Sequence, residues 1–100
     1  MLIHNTTLSI EESVLLECIQ KIKKEYLNQL RSNENFENVV FTEVLSHNEP
    51  NMRTYSIQVY CSGIDKLKVF KQTQIQKLES IASSYLGKVL FFHSKMRVID

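Results

Sequence analysis

The chain opens with a strand-like segment that leads into an amphipathic helix. Residues 2–10 have the composition of a strand, although His4 and Asn5 stand where a buried strand is normally apolar. Glu11 and Glu12 suit the positive end of a helix dipole, and the polar run at residues 31–35 ends the helix. Between them, apolar side chains recur with the helical period, at Leu15, Cys18, Ile19, Ile22, Tyr26 and Leu30.

The middle of the chain predicts a β-hairpin. Two strand-like segments, residues 39–45 and 54–61, flank a polar stretch at residues 46–53 that contains Pro50. Proline has no N–H for a sheet ladder, so we expect the turn there. In the second strand the side chains alternate between two faces, with Tyr55, Ile57, Val59 and Cys61 on one face and Ser56, Gln58 and Tyr60 on the other.

A second helix and a last strand complete the pattern. The spacing of Ser62 and Asp65 is that of a helix start, so we expect the Ser62 hydroxyl to cap the first turn. Gly87 is suited to end the helix in a left-handed conformation, and residues 88–99 predict the last strand. The apolar face of this helix lapses at Lys71 and Gln74. Its apolar members are Ile64, Leu67, Phe70, Leu78, Ile81, Ala82 and Tyr85.

These elements follow one another in the order β-α-β-β-α-β. Crossover connections are right-handed in nearly all proteins, so both helices should cover the same face of one sheet. We therefore predict an α+β protein with the ferredoxin-like fold, a single domain over residues 1–100. It has a four-stranded antiparallel sheet with two helices on one face.

The face of the predicted sheet that the helices leave uncovered lacks charge. Ser56, Gln58 and Tyr60 are uncharged, and the last strand offers large apolar side chains on both faces. A monomer would expose an apolar patch larger than soluble proteins usually show. We therefore expect a homodimer in which two sheets pack face to face, as in dimeric α/β barrels. The alternative is a monomer whose long C-terminal strand folds over the sheet.

Composition narrows the classes of partner. The net charge is +1, with Lys and Arg spread along both helices, whereas nucleic-acid binding relies on clustered cations. No apolar run approaches the roughly 20 residues that span a bilayer, and no signal-peptide pattern is present. Cys18 and Cys61 lack metal-ligand spacing and fit as small buried hydrophobes in a reducing compartment. We expect a cytoplasmic protein with no nucleic-acid or membrane partner.

Two histidines are candidates for chemistry. His4 lies in the first strand and His93 in the last, and these strands are neighbours in the predicted fold. The two side chains could therefore form an acid–base pair. The alternative is that each histidine is separately hydrogen-bonded or half exposed. No third ligand accompanies them at a suitable spacing, so we expect no metal site.

Three further residues are candidate ligand contacts. Asn5 could orient an oxygenated ligand, or it could satisfy backbone groups at a sheet–sheet interface. Gln74 could line a pocket between the second helix and the sheet, or the helix could bend there and leave the side chain in water. Tyr55 could supply a second polar group beside His4, although its spacing also suits core packing.

The N-terminal sequence resembles that of a known family. Residues 1–7 (MLIHNTT) and 10–14 (IEESV) are similar to the start of an uncharacterised bacterial family of about this length, classed as a domain of unknown function. Its members commonly have tyrosine in place of His4. The helix start at residues 62–65 and the final strand fit the same pattern, so the resemblance covers the whole chain.

That family is similar to the dimeric α/β-barrel superfamily, which includes cofactor-independent antibiotic-biosynthesis-type monooxygenases and haem-degrading enzymes. The resemblance implies a dimer and transfers no catalytic residues. Two functions remain open. The first is a homodimeric domain that binds a small molecule or a partner without catalysis, and the second is a cofactor-independent oxidoreductase of the monooxygenase type. We expect no cofactor, and we expect the ligand site between the second helix and the sheet, beside His4.

Overall fold

The computed structural model describes residues 1–46 and 48–100, in which strands and helices alternate in the predicted βαββαβ order. The strands are β1 (Leu2–Glu11), β2 (Asn38–Val44), β3 (Met52–Cys61) and β4 (Val89–Arg97). They form one antiparallel sheet in the order β2-β3-β1-β4. The predicted ferredoxin-like α+β fold is therefore confirmed.

The first helical region is interrupted by a wider turn. A 3-10 turn (Glu12–Val14) leads into α1 (Leu15–Ile22), which passes through a π-helical turn (Lys23–Leu27) into α2 (Asn28–Arg31). The π turn accommodates one more residue than an α turn, so both Tyr26 and Leu27 are buried. The apolar period predicted Tyr26 and missed Leu27, because it assumed an unbroken α-helix.

The second helical region consists of two helices, α3 (Ile64–Thr73) and α4 (Ile75–Ser83). They meet at Gln74, whose backbone (φ −116°, ψ −36°) departs from regular helix. The predicted cap at Ser62 is wrong. Helix α3 begins one residue later than a Ser62 cap requires, with Gly63 at the N-cap position and no side-chain hydrogen bond there.

The connection from α4 to β4 uses left-handed backbone. Gly87 has φ +87°, the conformation predicted for it, and Leu86 before it has φ +52°. The helix itself ends at Ser83, so Tyr85 is buried from the following turn rather than from the helix.

The second strand of the β-hairpin begins two residues earlier than the predicted residue 54. Strand β3 begins at Met52 and β2 ends at Val44, and Arg53 donates to Glu43 across the pair at 3.0 Å. The predicted turn at residues 46–53 includes His47, which lies outside the described residues. Strand β4 ends at Arg97, two residues short of the predicted end.

The alternation of β1 assigns its side chains to two different environments. The even-numbered positions from His4 to Ile10 lie on the helix-covered face, and each is at most 2% exposed: His4, Thr6, Leu8 and Ile10. The odd-numbered positions Ile3, Asn5, Thr7 and Ser9 lie on the opposite face. We call the face away from the helices the helix-free face.

Candidate ligand-binding site

A cavity of about 470 Å³ lies where α3 gives way to α4, against β1 and β4. It occupies the region that the sequence predicted for a ligand site, where the apolar face of the second helix lapses. Its lining residues are His4, Lys71, Ile75, His93, Ser94 and Lys95.

The pairing of β1 with β4 brings the polar side chains together. Thr6 lies opposite His93 and His4 lies opposite Lys95 in the antiparallel register. Partners in a ladder share one face of the sheet, so all four side chains belong to the helix-covered face. From above, the Phe70 ring of α3 lies 4.7 Å from the His4 ring.

The hydrogen bonds of His93 connect the sheet to α4. Its Nε2 atom lies 3.3 Å from a carboxylate oxygen of Glu79. Its Nδ1 atom lies 2.9 Å from the hydroxyl of Thr6 and 3.3 Å from Nε2 of His4. The sequence prediction that His4 and His93 approach each other agrees with this geometry.

These contacts fix the proton positions when both histidines are neutral. A carboxylate only accepts, so Nε2 of His93 carries its proton and donates to Glu79. Nδ1 of His93 then accepts from the Thr6 hydroxyl and from His4, which requires the proton of His4 to be on Nε2. Nδ1 of His4 is left with a lone pair, and this buried atom has no hydrogen-bond partner.

His4 stays neutral over the physiological pH range. Burial lowers its pKa from 6.5 to about 4, and positive charge on His93 when it is protonated, on Lys71 and on Lys95 acts in the same direction. The imidazole therefore lines the cavity as a neutral ring rather than as a cation.

Two lysines give the cavity its positive charge. Lys71 projects from α3 and Lys95 from β4. The neighbouring Lys95 ammonium, with its like charge, lowers the pKa of Lys71. Among the described residues, neither lysine forms an ion pair with a carboxylate.

The other three sequence candidates lie outside the cavity lining. Asn5 is on the helix-free face, where it accepts from the Ser56 hydroxyl and donates to Ser94 at 3.3 Å. Tyr55 pairs with Leu8 in the sheet, and its ring lies 5.6 Å from that of Phe41. Strand alternation separates Asn5 from His4, whereas the register between β1 and β3 places Tyr55 on the same face as His4 but opposite Leu8, farther along the sheet.

Gln74 lies at the helix break, as one of its two sequence interpretations expected. Its amide Nε2 donates to Thr73 at 3.3 Å, while its carbonyl Oε1 is buried without a partner. The side chain is half-buried rather than in water, and it does not line the cavity.

The lining residues that sequence reasoning missed depend on non-local pairing. Lys71 was visible as a lapse in the apolar face, but its role as a cavity residue was not. Lys95 reaches the cavity only because of the register between β1 and β4. Glu79 contacts His93 across 14 residues of sequence, a distance at which no local pattern links a helix to a strand.

A larger groove of about 710 Å³ lies between the outer surfaces of the two helical regions. It is lined mainly by exposed Lys, Gln and Ser side chains whose polar ends reach water. It contains neither histidine and none of the buried polar atoms that lack partners. The smaller cavity beside His4 is therefore the better candidate for a specific ligand.

The two cysteines are buried free thiols. Burial raises the pKa of Cys18 to about 11 and also raises that of Cys61, so both pack as neutral groups. Within residues 1–46 and 48–100, no three His, Cys, Asp or Glu side chains are placed to share a metal ion. In that same part of the chain, no helix has both the length and the apolar character for a membrane crossing.

The fold is shared with solved structures of low sequence identity. A candidate antibiotic biosynthesis monooxygenase from Deinococcus radiodurans superposes with a TM-score of 0.67 at 14% identity, covering 100% of this chain and 94% of that one. An ethyl tert-butyl ether d (EthD) family protein from Bacillus halodurans gives 0.67 at 11% identity, covering 99% and 100%. A dimeric ferredoxin-like protein of unknown function from Thermobifida fusca gives 0.63 at 12% identity, covering 98% and 92%.

Sequence comparison gives a family rather than an activity. No curated protein sequence matches the chain. The family model described as Domain of unknown function (DUF4286) matches residues 1–99, which confirms the kind of family predicted from the N-terminal sequence. The chain therefore belongs to the DUF4286 family.

Proposed function

We propose that this protein is a homodimeric domain that binds a small organic ligand in the cavity beside His4 and His93, without a catalytic step. The observation that carries the proposal is Nδ1 of His4, a buried acceptor with no partner in a residue that lines the cavity. Leaving such an atom unpaired costs about 1–3 kcal/mol. A ligand that donates a hydrogen bond to it would recover that cost.

The size and composition of the cavity support a small molecule as the ligand. Its volume of about 470 Å³ lies within the range of typical ligand pockets, roughly 300–1,000 Å³. Ile75 and the lysine methylene groups supply apolar surface, and the ring of His4 and the lysine ammonium groups supply a few polar contacts. That mixture is typical of sites that orient a small organic compound.

Fragment binding tests this part of the proposal. We expect compounds from a chemically mixed fragment collection to shift the backbone amide NMR signals of Ile75, His93 and Ser94. His4→Phe deletes the acceptor while keeping a ring of similar size, and it should weaken the fragments that donate a hydrogen bond. Tyr55→Phe is the matched control, because it removes a hydroxyl from the same sheet face outside the cavity. If no fragment shifts the cavity signals, the cavity is not a ligand site.

The dimer is proposed to form through the helix-free face. The outward residues of β3 and β4 on this face are uncharged, and Leu90 and Phe92 are 58% and 61% exposed. Three solved structures of this fold are described as dimeric ferredoxin-like proteins. The same face of a second copy of this chain can cover such a surface, because two sheet faces without charge on these strands can pack face to face.

Phe92→Asp tests the dimer. Phe92 is exposed in the single chain, so the variant should fold but dissociate, with dimer affinity reduced at least about a hundredfold by burial of an unpaired charge. Leu16→Asp is the control, since Leu16 is 77% exposed on the helical side. Sedimentation at micromolar concentration should give a dimer for wild type and Leu16→Asp. A monomeric wild-type protein would contradict the proposal.

A monooxygenase-type oxidoreductase is the alternative function. Its support is the fold shared with a candidate monooxygenase and a neutral histidine at the cavity. A pKa of about 4 makes His4 a weak base at neutral pH, whereas a general base works best with a pKa near 7. This argues for binding rather than catalysis. Oxygen consumption in the presence of cavity-binding fragments would reverse that preference.

A cytoplasmic location is part of the proposal as well. Cys18 and Cys61 are both buried and free, which suits a compartment in which thiols stay reduced. Cell fractionation tests this, and recovery of the protein outside the cytoplasmic fraction would contradict it.

A further inference from the structure

We infer that the ligand of this cavity is a small organic acid whose carboxylate binds between Lys71 and Lys95 and whose second polar group donates a hydrogen bond to Nδ1 of His4. The inference rests on the proposed ligand site and adds the chemical class of its occupant. Two independent features support it, the charge of the cavity wall and the proton position on His4.

The charge of the wall selects an anion. The described side chains that line the cavity include two lysines and no carboxylate. Glu79 is the nearby acid, and its carboxylate faces Nε2 of His93 rather than the lysines. Two ammonium groups on neighbouring elements repel each other, so an anion between them relieves the repulsion and gains two charge-assisted hydrogen bonds.

The proton position on His4 selects a donor. When both histidines are neutral, the contacts from Glu79 through His93 place the His4 proton on Nε2, which points to His93. Nδ1 can therefore only accept. A ligand hydroxyl or N–H would satisfy it, whereas a second carboxylate would meet a lone pair. An acid with one hydroxyl or amine group fits both requirements.

The cavity can also accommodate the apolar part of an organic ligand. Ile75 supplies apolar surface to the cavity, and its volume of about 470 Å³ admits a single six-membered ring. Inorganic anions would use only the lysines. The class is therefore an organic acid rather than a free inorganic anion.

Matched probes test the charge requirement on the protein of residues 1–100. Benzoate, benzamide and benzylamine have the same ring and differ in charge, and their binding is followed by amide NMR shifts at Ile75 and Ser94. We expect benzoate to bind about tenfold more tightly than benzamide and benzylamine not to bind. Inorganic phosphate should bind more weakly than benzoate.

The donor requirement is tested with 3-hydroxybenzoate and 3-methoxybenzoate. The hydroxyl compound should bind about three- to tenfold more tightly in wild type, and the advantage should disappear in His4→Phe. Lys71→Gln and Lys95→Gln should each weaken benzoate binding about three- to tenfold. Lys68→Gln, on the same helix outside the cavity, is the control and should leave binding unchanged.

The outcomes separate this inference from the proposed function. Benzamide or benzylamine binding in the cavity at least as tightly as benzoate would overturn the acid and leave the ligand site intact. Phosphate matching benzoate would show that charge alone is recognised, which also overturns it. If none of the acids binds, the inference is wrong, and the mixed fragment collection then decides whether the cavity binds any ligand.

Discussion

On the helix-covered face of the sheet, the side chains at the two ends of the β1–β4 strand pair differ in chemistry. At the end near the helix α1 start, Leu8 and Ile10 are completely buried and lie opposite Phe91 and Val89. This end is part of the continuous apolar core. We call it the apolar end.

At the other end, Thr6 and His4 are buried just as deeply, at 1% and 2% exposed. They lie opposite His93 and Lys95, and the helices above them break. We call this the polar end. The comparison shows that burial alone does not separate a core from a site: the difference is that the polar end keeps an unpaired acceptor and a cavity beside it.

The largest expected effect is a difference in the free energy of unfolding between a truncation at the apolar end and a replacement at the polar end. Leu8→Ala removes a fully buried side chain from the apolar end and should lower the free energy of unfolding by about 3 kcal/mol. His4→Phe at pH 7 removes an unpaired acceptor together with one long hydrogen bond, so it should change that free energy by less than about 1 kcal/mol. Urea unfolding at one fixed protein concentration measures both.

A His4→Phe variant that loses as much stability as Leu8→Ala would make the polar end a structural element. In that case the unpaired nitrogen would be a by-product of packing, and the comparison between the two ends would fail.

A second effect concerns pH. The folded state lowers the pKa of His4 from 6.5 to about 4, so the unfolded chain binds this proton more readily. The neutral group contributes its full stability above about pH 6.5. This contribution is lost as the pH falls towards 4, and the free energy of unfolding changes little on its account below that pH. The loss should be roughly 2–3 kcal/mol in wild type.

His4→Phe should lack this component of the pH dependence. Carboxylates that titrate in the same range are common to both proteins and cancel in the difference between their unfolding curves. A constant difference between pH 7 and pH 4 would show that His4 titrates normally.

The smallest effect concerns a buried polar atom away from the cavity. The hydroxyl of Tyr26 is buried without a partner, and burial raises the pKa of this phenol. Tyr26→Phe should raise the free energy of unfolding by about 1 kcal/mol, measured by thermal or urea unfolding, and leave fragment binding unchanged. A loss of stability would mean that the hydroxyl has a hydrogen-bond partner after all.

The fold was predictable because its signals are local. Strand alternation, helical spacing and turn residues each depend on a few neighbouring positions, and the crossover rule then leaves one arrangement. The errors are local as well. Leu27 was missed because a π turn changes the helical period, and Ser62 was assigned a cap one residue too early.

The site was predictable only in part. His4 and His93 could be paired because β1 and β4 are neighbours in the fold, which topology alone establishes. Lys95 could not be placed, since its position depends on strand register, and the contact between Glu79 and His93 depends on how α4 packs on β4. Asn5 was grouped with His4 although alternation puts them on opposite faces.

The most direct test of the central claim is the protonation state of the His4 ring. Long-range ¹H–¹⁵N NMR of the histidine rings reports which nitrogen carries the proton and at what pH the ring titrates. We predict that His4 in the ligand-free protein carries its proton on Nε2, has an unprotonated Nδ1, and stays neutral until the pH approaches about 4. A proton on Nδ1, or titration near 6.5, would contradict the claim that His4 offers an unpaired acceptor to the cavity.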